Sequence, residues 1–180
     1  MQAAALCANA SVRRLEDGTL EGMGDPTEVA LLMAARERGL KRDALLEQRP
    51  EIAEHPFDPG LKLMATLHRA EDTVLCVVKG APESVIPRAI SVRTATGDER
   101  LSDAERQTWL DQAHRFGLRG LRTIAVAEKR CLSDTEDPYE KLVLLAIFGL
   151  EDPPRAGIRQ AVERCRDAGV SVLMVTGDHA

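Results

Sequence analysis

The chain holds 180 residues, 44% of them hydrophobic and 29% charged, with a formal net charge of -5. That length suits one well-packed core and a fragment of a second domain, and the balance argues against a disordered or collagen-like chain. The acidic sign argues against a broad basic surface for nucleic acid, and the longest apolar run, Leu142 to Leu150, is about half the roughly 20 residues of a membrane-spanning helix.

The amino end shows no secretory leader, so a soluble chain is expected. Cys7, Cys76, Cys131 and Cys165 form no CxxC pair and have no histidine at ligand spacing. Reduced, mostly buried thiols and no metal site are expected.

Ala3 to Ala10 reads as a short helix, and Ser11 to Met23 as a polar hairpin or loop turning at Asp17-Gly18. Asp25 then caps a helix: Pro26 takes the first helical position, Glu28 lies three residues after the cap, and the apolar residues Val29, Leu31, Leu32, Met33 and Ala35 run toward Gly39. A short helix follows from Arg42 to Gln48. Ile52 to Phe57, Lys62 to Arg69 and Thr73 to Lys79 are expected strands, the last two forming a hairpin. Ala81-Pro82 opens another helix, and Ser102 with Glu105 forms a capping box for an amphipathic helix to about Phe116.

Leu121 to Glu128 returns to strand, and Leu142 to Gly149 is continuous enough for a buried one. After Asp152-Pro153-Pro154-Arg155, a helix from Ile158 to Ala168 stops at Gly169, and Val170 to Val175 reads as a last strand ending at Thr176-Gly177-Asp178. The expected architecture is α+β: an antiparallel sheet flanked by helices over residues 1-150, then a strand-helix-strand start of an α/β domain over 151-180.

No GxxxxGK[ST] loop, full GxGxxG, HExxH or GxSxG occurs, so residue chemistry by itself stops at a binding module. Resemblance carries the reading further. The chain presents Ala5-Leu6-Cys7, then Gly24-Asp25-Pro26-Thr27-Glu28 before an apolar helix, then Pro56-Phe57-Asp58 with Lys62 and Met64. Lys79-Gly80-Ala81-Pro82-Glu83 and Gly120-Leu121-Arg122 before Ala125-Val126-Ala127 follow, and Gly149 to Arg155 and Met174 to Asp178 close the series. In this order they resemble the cytoplasmic loop of P-type cation-transporting ATPases of the calcium-, sodium- or proton-pumping branch.

The resemblance implies a nucleotide-binding domain for ATP, held with Mg²⁺ in the complete pump, on the cytoplasmic side of a membrane. Its partners would be the remaining phosphorylation, actuator and membrane domains. Phe57 would stack on adenine, an interaction worth about 1 to 3 kcal/mol per base. Lys79 and Gly80 would line the pocket, and Lys62 would meet phosphate or stack beside the base. Glu28 would face the adenine amino group, or only complete its helix cap. Arg122 would share a pocket wall with Ile124 and offer its guanidinium to phosphates. Asp152, Pro153, Pro154 and Arg155 would form a hinge, and Thr176, Gly177 and Asp178 would face the phosphoryl group.

Each residue also has a plainer reading: a core phenylalanine, solvated lysines at strand ends, a surface arginine, a strand-ending turn. Pro59-Gly60-Leu61 stands where the family usually carries a further basic residue, which puts one phosphate contact in doubt. The sequence has no DKTGT segment, hence no aspartate to phosphorylate, and ATP binding without turnover is expected. The alternative is a structural or protein-interaction domain on the same scaffold without nucleotide binding.

Overall fold

From Leu63 to His68, the residues Leu63, Ala65 and Leu67 alternate with Met64, Thr66 and His68, and all six are buried. A strand buried on both faces belongs inside a sheet that is covered twice. The computed structural model describes residues 1-152, 157-173 and 175 and has that arrangement.

The chain begins with α1 (Gln2–Leu6), β1 (Ser11–Arg14), β2 (Leu20–Met23), α2 (Pro26–Glu37) and α3 (Arg42–Gln48). The strands β3 (Glu51–Asp58), β4 (Leu63–Ala70) and β5 (Thr73–Gly80) follow, then α4 (Pro82–Val85), a 3-10 turn (Ile86–Arg88), β6 (Ala89–Arg93) and β7 (Asp98–Arg100). The last elements are α5 (Asp103–Leu118), β8 (Arg122–Cys131), β9 (Leu142–Leu150) and α6 (Ile158–Asp167).

Among the described residues one sheet has the order β3-β4-β5-β8-β9-β6-β7, antiparallel at every pairing except β6 with β9, while β1 and β2 form a hairpin of their own. One face packs Met64, Leu75, Val77 and Val126 against α1, α2 and α3. The other packs Leu63, Ala65, Leu67, Cys76 and Val78 against Val85, Ile86 and the Trp109 and Leu110 side chains of α5. The expected antiparallel sheet flanked by helices is therefore present.

Local signals acted as the sequence suggests at both long helices of the first unit. The Asp25 carboxylate accepts from the Thr27 and Glu28 amides at 2.8 and 3.3 Å. Ser102 and Glu105 complete a reciprocal capping box. Three expectations change. The first helix ends at Leu6 rather than Ala10, because the Asn9 and Ala10 amides are taken by a side chain instead of by the helix. Strands β6 and β7 were not expected at all. The segment Val170 to Val175 carries no strand at its described positions, 170-173 and 175, since a strand without a ladder partner has nothing to hold it.

By its internal packing the chain divides into Met1–Leu150 and Glu151–Ala180. In the second unit α6 is bounded by Gly157 and Gly169, both with left-handed φ. Pro153, Pro154, Arg155, Thr176, Gly177 and Asp178, expected at the hinge and phosphoryl side, lie outside the described residues, and Asp152 is exposed. Among the described residues no helix is long and apolar enough to cross a membrane.

The thiols of Cys7, Cys76 and Cys131 are buried and unpaired. Burial pushes the Cys7 thiol up to about 11 and the Cys76 thiol to about 12, so both stay protonated at neutral pH.

His68 is fully buried, and burial lowers its pKa below the ordinary value. Its Nδ1 lies 3.2 Å from the Arg49 carbonyl, which can only accept, so the neutral ring carries its proton there and takes the Thr66 hydroxyl at Nε2. Unfolded chains then bind more protons than folded ones as pH falls through about 6.5, so stability drops toward acid. Urea titrations from pH 7.5 to 5 should show this slope in the wild type and a weaker one in His68→Asn, which cannot charge. An equal slope in both would exclude His68 as its source.

Candidate functional site

Within Met1–Leu150, the segments around Cys7, Glu28, Phe57, Lys79 and Arg122 meet at one end of the sheet. This is the carboxyl end of β3 and β5 and the amino end of β4 and β8, where Met64 pairs with Lys79 and Lys79 with Val126. Strand alternation puts Lys79 on the face covered by α2, in a row of apolar neighbours. A lone ammonium there would be costly, and Lys79 is only 7% exposed as a residue.

Glu28 resolves that cost. Its Oε1 accepts from Lys79 Nζ, and its Oε2 accepts from the Asn9 and Ala10 amides at 2.7 and 2.8 Å. The pair keeps 8% and 12% side-chain exposure. The carboxylate does not turn back to the Asp25 amide, so Glu28 is not the second half of a capping box. Three donors occupy it, and a carboxylate has about four lone-pair positions, so room for one further donor remains.

The Gly24 to Glu28 motif can be read physically through the same contacts. Gly24 has φ +116, and a Cβ there would lie 2.9 Å from the Ala10 backbone. The absence of a side chain lets the connection from α1 lie against the start of α2, where Glu28 gathers its amides. Thr27 Oγ1 accepts from Arg122 Nη1 at 3.4 Å, a long contact that brings the amino end of α2 above the start of β8. Arg122 is exposed, whereas Ile124 and Val126 on the same face belong to the packing beneath α2.

The Lys79 to Glu83 motif is equally explicit. Gly80 leaves room for the neighbouring strand: a Cβ there would lie 2.2 Å from the Lys62 carbonyl oxygen. Ala81 and Pro82 start α4. Glu83 accepts from Lys62 Nζ at 2.9 Å, with both side chains more than half exposed, so the pair contributes little to stability. Burial by itself would raise the Glu83 carboxyl, but the Lys62 hydrogen bond and charge outweigh it and hold the group below its usual value.

Phe57 is 57% exposed, near the end of the edge strand β3. The pairing of β3 with β4 breaks between His55 and Asp58, so Pro56 and Phe57 sit outside the regular ladder and the ring leaves the core. Asp58 then organises the turn that follows: its Oδ1 accepts from the Gly60 and Leu61 amides at 2.7 and 3.1 Å, and Lys62 takes a left-handed φ of 56. Pro59-Gly60-Leu61 is thus an Asp58-capped turn with Leu61 exposed.

The structure brings Glu28, Lys79, Arg122 and Ile124 together beneath and beside the amino end of α2, with Gly80, Lys62 and Phe57 at the same sheet end. Two concavities elsewhere, of about 190 and 510 Å³, line Ala10 to Arg13 with the end of α2, and Ile90 with Arg100 to Arg106. Neither contains any of these seven residues. Asn9 is the participant that sequence reading missed, since nothing local marks an asparagine whose partners lie 19 and 45 residues away.

The model of the P-type ATPase cytoplasmic domain N matches residues 1-157. The chain is 35% identical over 181 residues to a calcium-transporting ATPase of Bacillus subtilis, covering 97% of this chain and 20% of that protein. It is 32% identical over 159 residues to calcium-transporting ATPase 1 of Bacillus cereus, covering 87% of this chain and 18% of the relative. A probable cation-transporting ATPase F of Mycobacterium tuberculosis is 35% identical over 184 residues, covering 98% and 20%. The chain spans about a fifth of the length of these relatives.

Proposed function

The chain belongs to the family of P-type ATPase cytoplasmic N domains, and from that premise we propose that it binds ATP at the Glu28, Phe57, Lys62, Lys79, Gly80, Arg122 and Ile124 sheet end. In this reading the unit Met1–Leu150 is the nucleotide-binding domain of a cation-transporting pump, and residues 151-180 begin its phosphorylation domain. The observation that carries it is the convergence of an exposed aromatic ring, a carboxylate with one acceptor position left and three cations at one end of the sheet.

The division of labour follows from exposure and charge. Phe57 offers a free face for stacking on the base. Glu28, held by Lys79 and two amides, is pre-oriented to accept from an exocyclic amine. Lys62 and Arg122, both exposed, are the cations that phosphates can reach. Lys79, nearly buried, acts through Glu28. Mg²⁺ would travel with the phosphates, and the γ-phosphate would be presented to an aspartate outside this sequence, with Asp152 to Arg155 as the hinge and Thr176 to Asp178 on the phosphoryl side. ATP hydrolysis and cation transport then belong to the whole pump, not to this chain alone.

A second reading has its own observation. Lys62 and Lys79 are each paired with an internal carboxylate, and Leu61 supplies no charge, so the same surface serves a structural domain that has lost the nucleotide. Urea unfolding with and without 10 mM ATP separates the two. A dissociation constant of about 0.1 to 1 mM stabilises the folded chain by about 1.4 to 2.7 kcal/mol at that concentration. An unmoved midpoint would favour the structural reading.

A further inference from the structure

We propose that Asn9 is a positioning residue of the nucleotide site, tying the wall that carries Glu28 to the edge strand that carries Phe57. The inference rests on the nucleotide-binding reading above and adds the element that sets the distance between its two walls.

The geometry is specific. The Asn9 amide donates to Glu28 Oε2 at 2.7 Å, while its side-chain Nδ2 donates to Glu54 Oε1 at 2.6 Å. One residue therefore bonds to α2 through its backbone and to β3 through its side chain. The neighbouring Ala10 amide, on the same Glu28 oxygen at 2.8 Å, fixes the backbone part of the link. Gly24 permits the close approach of this connection to α2.

The link falls where the sheet does not do the job. β3 is an edge strand, paired only with β4, and its ladder breaks between His55 and Asp58, around Phe57. Glu54 is the last regularly paired position but one before that break, three residues ahead of the ring. A stacking residue on an unladdered edge gains affinity only if its position is set before the base arrives. The charged acceptor makes Asn9 to Glu54 a stronger hydrogen bond than a neutral one.

The role predicts an exchange experiment. Asn9→Asp keeps the backbone amide on Glu28 but sets two carboxylates against each other, and Asn9→Asp with Glu54→Gln restores the bond with donor and acceptor swapped. ATP affinity should fall about threefold to tenfold in Asn9→Asp, return in the exchanged pair, and fall by less than about threefold in Glu54→Gln, which retains a neutral acceptor oxygen. The unfolding midpoint should change little throughout, because the contact is exposed.

Unchanged affinity in Asn9→Asp, or no recovery in the exchanged pair, would overturn the proposal. Should Asn9→Asp not fold, Glu54→Ala removes the same bond and must show the same loss. A wild type that fails to bind ATP at 10 mM overturns the nucleotide reading instead. The link is then read from the Phe57 ring resonances, which must shift in Asn9→Asp and return in the exchanged pair.

Discussion

Lys79→Met is expected to destabilise the chain by about 3 kcal/mol, because it strands the Glu28 carboxylate in a nearly closed site. The methionine fills most of the lysine volume, so the loss is electrostatic rather than a cavity effect. Removing one member of a buried ion pair costs about 3 to 5 kcal/mol, and the lower end applies because Glu28 keeps the Asn9 and Ala10 amides. Combining it with Glu28→Gln should recover most of the loss, since an amide needs no counter-charge. Urea denaturation of the two single variants and the pair gives the coupling directly, and additive losses would contradict the pairing. The consequence for function is practical: weaker ATP binding in a Lys79 variant reports on the pocket only after its stability has been measured.

Phe57→Ala is expected to do the reverse, weakening ATP binding about fivefold to 150-fold while leaving stability within about 1 kcal/mol of wild type. The ring is 57% exposed on an edge strand, outside the regular ladder, so its truncation opens no cavity. Calorimetric titration with ATP, set beside thermal unfolding, separates the two effects. A destabilisation of about 3 kcal/mol or more would instead mark Phe57 as an ordinary packing residue.

These two residues also show where the sequence was informative. Asp25, Pro26 and Ser102 announced their helices because a cap is a local arrangement within four residues, and Thr73 to Lys79 announced a strand through its apolar run. The exposure of Phe57 could be anticipated from the turn that follows it. The pairing of Lys79 with Glu28 could not, since the two are 51 residues apart and meet only after α2 folds over β5. Glu28 read equally well as a cap, and only the sheet decided its partners.

Strands β6 and β7 were illegible for a related reason. Ala89 to Arg93 follows Pro87 and Arg88, is short and polar at its end, and becomes a strand by parallel pairing with β9, more than 50 residues later. At the carboxyl end the error runs the other way: Val170, Val172 and Leu173 have strand-like composition, but composition supplies no ladder partner. The need for a glycine at Gly80 was equally illegible, because it comes from the Lys62 carbonyl, 18 residues earlier, which a Cβ there would meet at 2.2 Å.

The measurement that tests the central claim most directly is an NMR titration of the wild-type chain with ATP, without and with Mg²⁺, following the backbone amides and the Phe57 ring. Saturable shifts should centre on Glu28, Phe57, Lys62, Lys79, Gly80, Arg122 and Ile124, with a dissociation constant of about 0.1 to 1 mM, or roughly -4 to -5.5 kcal/mol. No saturable shift up to about 10 mM, or shifts gathered on another surface, would contradict the assignment of this sheet end as the ATP site.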